Sequence, residues 1–259
     1  MIKKLGMKTN LIQIIEIDPI DVCNRSCSFC PRGAGYPNTK GKIDYDTAKA
    51  INKNLKSVLY TGSIVFAGMG EPLLHKNIGG IIETVIKELN LKAVTVITNG
   101  DYLDKHKAKT LYDAGVTHIK ISMYDNDQEK YFSSFLQDFE VVYRHYYNGP
   151  EYEVNRNEIY SNFTEHHFDR PCYLPFYKMF IDFNGDAFLC GNDWNKTVCG
   201  GNLKQKHIGE VWDYFDEYRK MLKKGKRSMH PCSGCNINGL REGEESFKQY
   251  ENRSKEKLL

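Results

Sequence analysis

From residue 11 to about residue 148, two hydrophobic rhythms alternate along the chain. Strand-like runs occupy Leu11–Val22, Ser63–Ala67, Ala93–Ile97, His118–Met123 and Phe139–His145. Between them the spacing is helical, at Tyr45–Leu55, Asn77–Leu89, Leu103–Ala114 and Gln128–Leu136, and Gly115 follows the third helix where a left-handed C-terminal residue belongs. Such alternation with short connections predicts an α/β fold with a parallel sheet, here curved into a shortened partial barrel of about five to six strands, five of them clear. After about residue 165 the texture changes. Tyr177–Phe183 and Asp186–Leu189 flank Asn184-Gly185 and predict a β-hairpin. An amphipathic helix over Gly209 to Lys224 puts Val211, Trp212, Phe215, Tyr218 and Leu222 on one face, and a charged helix starts at Arg241. The expected division is a barrel over 1–165 and a smaller unit over 166–259.

Composition narrows the setting. The 259 residues are 41% hydrophobic and 27% charged, and the net charge of +3 is too small to argue for a nucleic-acid partner. No apolar run approaches the ~20 residues of a membrane span, and the lysine-containing start has no apolar signal core. A cytoplasmic protein with no membrane association is expected. There, eight cysteines indicate metal or redox work rather than disulfides. The basic stretch Lys220 to Arg227 reads as the solvated end of a helix.

Three of those cysteines, Cys23, Cys27 and Cys30, form C-x3-C-x2-C directly after the first strand. Three thiolates can hold three corners of a four-iron cubane and leave one iron open; three cysteines plus a histidine would suit zinc. With Phe29 just before the last cysteine, the triplet resembles the signature of the radical S-adenosylmethionine (radical SAM) superfamily. The next two strands also end in matching loops. Gly68-Met69-Gly70-Glu71-Pro72 is similar to the superfamily's Gly-Gly-Glu element, with Met69 as a departure, and implies contacts to the methionine amino group of SAM. Thr98-Asn99-Gly100 resembles the ribose-contacting segment, and Ser122 a ribose or carboxylate contact. The adenine-binding element has no counterpart.

Cys172, Cys190, Cys232 and Cys235 make a second set around the hairpin. Taken as residues alone, four thiolates fit a zinc ribbon or an iron–sulfur cluster equally. Together with Ile208-Gly209-Glu210-Val211-Trp212, the set resembles the cluster-binding extension called SPASM, or twitch in its short form. No cysteine follows Cys235, which implies one auxiliary four-iron cluster with four cysteine ligands. Cys199 stands apart, as a buried small hydrophobe or as a hydrogen-atom donor.

The resemblance implies a reaction. Bound SAM is cleaved to a 5′-deoxyadenosyl radical that takes a hydrogen atom from substrate, with electrons from an external donor such as flavodoxin or ferredoxin. A fully ligated second cluster can then accept an electron, giving two-electron oxidation of an alcohol to a ketone. Length and layout resemble the radical SAM 2-deoxy-scyllo-inosamine dehydrogenases, so a sugar or aminocyclitol is the expected small-molecule substrate. Glu16 and Asp18 share one face of the first strand, and Glu16 is expected to contact substrate; Tyr124, Arg144, His145 and Arg170 are further candidates. Peptide modification and redox-neutral epimerisation, the latter using Cys199, are the competing expectations.

Overall fold

The computed structural model describes residues 11–145, 170–237 and Gly239; the helix expected from Arg241 lies outside the described residues. Eight strands form one sheet: β1 (Ile14–Ile17), β2 (Ser63–Phe66), β3 (Ala93–Thr98), β4 (His118–Met123), β5 (Glu140–His145), β6 (Lys178–Ile181), β7 (Asp186–Phe188) and β8 (Cys199–Asn202). Their order is β5-β4-β3-β2-β1-β6-β7-β8. The pairs from β5 through β1 are parallel, and β1 also pairs in parallel with β6. The hairpin β6–β7 and strand β8 continue antiparallel.

Among the described residues the sheet has six parallel strands, within the expected five to six, because the first hairpin strand docks along the free edge of β1. One expectation needs correction here: the first strand is much shorter than Leu11–Val22. Pro19 has no N–H to give to a ladder, so pairing stops at Ile17 and the chain turns into the cysteine loop.

The helices α1 (Tyr45–Ser57), α2 (Ile78–Ile86), α3 (Lys105–Asp113) and α4 (Glu129–Ser133) follow β1 to β4. Asp44 and Asp104 cap α1 and α3 by accepting the backbone N–H groups of Thr47 and Lys107, each at 2.7 Å. Helices α2 and α4 are shorter than the periodicity predicts. Glu88, just past α2, takes a left-handed φ of 58° and turns the chain toward β3.

Alternation along the strands sorts side chains to two faces. Ile15, Ile17, Ile64, Phe66, Val94, Val96, Ile119 and Ile121 point to the helices and join Ile51, Leu55, Ile81, Val85 and Leu111 in one apolar core. The opposite face carries Glu16, Thr95, Lys120, Ser122, Arg144 and Lys178 among the apolar Ile14, Val65, Ile97, Val142 and Phe180. A parallel sheet covered by helices on one side leaves this mixed face, with its polar groups, as the interior of the partial barrel.

The hairpin forms as expected, with a turn built over Asp182 to Gly185. Gly185 adopts φ 90° and donates its N–H to the Asp182 carbonyl at 2.9 Å. The Asp182 carboxylate accepts from Asn184 N–H at 2.9 Å. A short helix, α5 (Leu174–Tyr177), precedes β6. The single helix expected over Gly209 to Lys224 is two, α6 (Ile208–Tyr214) and α7 (Asp216–Lys223). They break at Phe215, whose ring is 2% exposed and drops into the core.

Candidate active site

The loop after β1 carries Cys23, Cys27 and Cys30, all half-buried. It is wound by backbone bonds from Cys30 N–H to Cys27 O at 3.0 Å and from Gly33 N–H to Cys30 O at 2.7 Å. Burial first, and then the neighbouring Cys30 and Cys23 thiols, push Cys27 up to about 11. Three mutually repelling thiolates are a site that a cationic centre stabilises.

Loops from three strands hold this segment in place. Arg25 donates from Nε and Nη2 to both oxygens of Asp101, each at 2.6 Å, and from Nη2 to Asp125 at 2.7 Å. Its guanidinium also lies 5.4 Å from the Tyr124 ring centroid. Phe29 lies 5.5 Å from the same ring. Asn24 and Asn99 are joined at 2.9 Å. These ties between the cysteine loop and the ends of β3 and β4 are absent from the sequence reading. Arg25 stands inside the triplet, but its partners are some 75 to 100 residues away.

Gly68, Gly70 and Glu71 follow β2. A side chain at Gly70 would overlap the Ile20 carbonyl oxygen, so only glycine lets this loop pack on the segment entering Cys23. Glu71 is 3% exposed, and burial raises its pKa. Its Oε1 accepts from Leu73 N–H at 3.1 Å and from the Thr98 hydroxyl at 2.7 Å, and Oε2 accepts from Asn99 N–H at 2.8 Å. Glu71 therefore bolts the second loop to the third and keeps accepting capacity for one more donor. Thr98 points inward to Glu71, and Ser122 is buried on the interior face of β4.

Arg32, reaching back from beyond Cys30, is 6% exposed and pairs with Asp21 while donating to Met69 O at 3.0 Å. Beside it Asp18 is fully buried, with neither carboxyl oxygen hydrogen-bonded among the described residues. Burial first, then repulsion from Asp21, raise Asp18 to about 8 from 3.8, against the pull of Lys196. A carboxyl with a raised folded pKa binds its proton more tightly when folded, so it costs increasing stability as pH climbs toward 8 and a constant amount above. Asp18→Asn is expected to gain about 2 to 3 kcal/mol on wild type between about pH 6 and pH 8, and nothing further beyond. Thermal unfolding across that range measures it. A gain that does not vary with pH contradicts a neutral Asp18.

The second thiol set converges from four places: Cys172 before α5, Cys190 after β7, and Cys232 and Cys235 after α7. All four line one hollow with Leu174, Asn192 and Arg227. Asn192 directs its backbone and side-chain N–H groups at the Cys190 sulfur at 3.4 and 3.5 Å, and Ile237 N–H points at the Cys235 sulfur at 3.4 Å. Burial raises Cys172 to about 12, with Arg227 opposing. Arg227, 2% exposed, donates to the carbonyls of Arg170, Pro171 and Ile237 at 2.9, 3.1 and 2.7 Å and so fastens both ends of this site.

Four thiols brought around one hollow from separate segments fit a cubane, whose ligands sit on separate irons.

The radical SAM superfamily model matches residues 17–156, and an iron–sulfur cluster-binding domain model, SPASM, matches residues 172–236. The chain belongs to the radical SAM superfamily. It is thus a radical SAM enzyme whose cofactors are SAM and two [4Fe–4S] clusters. It is 28% identical, over 87% of its length and 93% of the relative's, to the S-adenosyl-L-methionine-dependent 2-deoxy-scyllo-inosamine dehydrogenase of Niallia circulans. It is 32% identical to the GTP 3',8-cyclase of Aquifex aeolicus, over 46% of this chain and 37% of that relative. Among solved structures, BtrN in complex with AdoMet and 2-DOIA superposes with a TM-score of 0.77 at 26% identity, covering 88% of this chain and 94% of that one. The superfamily, the α/β fold with its small C-terminal unit, and the two-cluster inventory agree with the sequence reading.

The remaining predicted residues fall in different places. Glu16 lies on the interior face, paired with Lys178. Cys199 opens the outermost strand β8 and is exposed, three strands or roughly 14 Å from β1. Arg144 lies opposite Ser122 on the interior face. His145 pairs with Glu129 at 2.6 Å, and Arg170 is exposed. No helix among the described residues is long and apolar enough to cross a membrane.

Proposed function

We propose that this radical SAM enzyme oxidises a secondary alcohol of a small polyhydroxylated ring, a sugar or aminocyclitol, to a ketone. The observation that carries the reading is likeness over nearly the whole chain to a dehydrogenase of an aminocyclitol. The polar groups on the interior face support it, since hydroxyl-rich rings need hydrogen-bonding walls. In this reading residues 1–165 form the radical-generating barrel and 166–259 the auxiliary-cluster domain.

Cys23, Cys27 and Cys30 hold the cluster with the open iron, and Cys172, Cys190, Cys232 and Cys235 hold the auxiliary one. Gly68, Gly70 and Glu71 receive the methionine end of SAM, with Phe29, Asn99 and Ser122 around the nucleoside and Thr98 steadying Glu71. The bound cofactors supply a 5′-deoxyadenosyl radical and an acceptor for one electron. Within the barrel, Glu16 orients the substrate hydroxyl. The ring carbon gives up a hydrogen atom, its hydroxyl gives a proton to the Glu16 carboxylate, and the last electron passes to the auxiliary site. Reducing equivalents come from a flavodoxin- or ferredoxin-type donor in the cytoplasm. The exposed position of Cys199 on the outermost strand favours oxidation over epimerisation.

The test uses anaerobically reconstituted protein, reductant, SAM and a panel of ring alcohols deuterated at each carbinol carbon. Deuterium in 5′-deoxyadenosine together with a ketone product is expected for at least one of them. Cleavage of SAM with no transfer from any member overturns the substrate class.

A further inference from the structure

The ion pair between Glu16 and Lys178 lies where the two halves of the site meet. Glu16 projects from β1 into the barrel; Lys178 starts β6, opposite Ile14 and one diagonal step from Glu16. The carboxylate is 14% exposed and the ammonium 31%. The other carboxylate oxygen faces the auxiliary ligand loop: a Cβ on Gly191 would stand 3.2 Å from Glu16 Oε1. Gly191 follows Cys190 directly. One ion pair therefore joins the barrel interior to the loop that carries Cys190.

Enclosed ion pairs rarely raise stability over apolar residues of like size, because both ions lose water. Stability is therefore a poor account of this one. A fixed positive charge near an iron–sulfur centre favours its more negative, reduced form, and net charge is among the factors that set cluster potentials. The same charge holds the Glu16 side chain in one orientation, as substrate positioning requires.

We propose that Lys178 is a positioning residue with two duties: it aims Glu16 at the substrate, and it sets the auxiliary cluster as the better electron acceptor. The first duty rests on the dehydrogenase reading above; the second needs only a cluster on the four thiolates.

The test compares wild type with Lys178→Met, Lys178→Arg and Glu16→Gln in the full, reconstituted chain. EPR-monitored redox titration reads both clusters, and equilibrium binding reads a ring alcohol that wild type oxidises. Lys178→Met is expected to lower the auxiliary potential, leave the SAM-site cluster unmoved and weaken alcohol binding about tenfold, with Lys178→Arg restoring both. Glu16→Gln, which removes the opposing charge, should raise the auxiliary potential and also weaken binding. The proposal is overturned if Lys178→Met leaves the auxiliary potential in place, or shifts both clusters alike. Should Lys178→Met fail to retain iron, an unmoved potential in Glu16→Gln overturns it equally. If wild type oxidises no ring alcohol, the potentials still decide, so the two readings fail separately.

Discussion

Cys27→Ser is expected to end SAM cleavage while leaving half of the iron in place. Cys27 is the middle thiol of a loop that is wound on its own carbonyl, which accepts Cys30 N–H at 3.0 Å. With one thiolate gone, two sulfurs and a weak hydroxyl ligand face a cluster that needs three firm attachments to present a single open iron. The auxiliary thiols draw on other segments, joined through Arg227, so they keep their cluster. Iron should fall from about eight to about four per chain. Release of methionine and 5′-deoxyadenosine should drop by at least about 10³-fold, the weight of losing a reaction's sole activating centre. Iron assay and chromatography of the quenched mixture measure both. Retained cleavage at half iron would reassign the radical-generating site.

Cys190→Ser separates radical formation from oxidation. Cys190 comes from the loop after β7, where two Asn192 N–H groups point at its sulfur and the next residue, Gly191, packs against Glu16. Its loss removes the electron acceptor beside the barrel but touches none of the loops from β1 to β4. SAM cleavage should continue within about threefold of wild type, whereas ketone formation should fall by about 100-fold or more, because the substrate radical then has nowhere to leave its electron. Deuterium from a labelled ring alcohol still reaches 5′-deoxyadenosine. The ratio of ketone to 5′-deoxyadenosine is the measurement, near one in wild type and near zero in the variant. An unchanged ratio would remove the auxiliary cluster from the oxidation.

The local parts of this protein were legible because local chemistry makes them. Period-two and period-3.6 patterns locate β2 to β5 and the helices behind them, and Asn184-Gly185 places the hairpin. Boundaries were less legible where one residue overrides a pattern. Pro19 cuts β1 short, and Phe215 breaks a helix whose amphipathic stripe runs unbroken through it.

Contacts between distant segments were not legible at all. Glu71 was expected to face SAM, yet three of its accepting positions are filled by Leu73, Thr98 and Asn99, because closing the sheet brings two loop ends together. Arg25 gains its role from Asp101 and Asp125 on other strands. Lys178 carries no signal within the run Tyr177–Phe183; it meets Glu16 only because β6 docks beside β1.

Sequence by itself determined the cysteine inventory, the superfamily and the α/β plan, since sulfur donors and hydrophobic periodicity are properties of short stretches of chain. Only tertiary structure decided that the hairpin extends the barrel sheet, that four distant thiols meet around one hollow, and that a lysine pairs with a carboxylate of the barrel interior. Those outcomes depend on strand register and loop packing, which arise from the sum of many long-range contacts and leave no mark in any one segment.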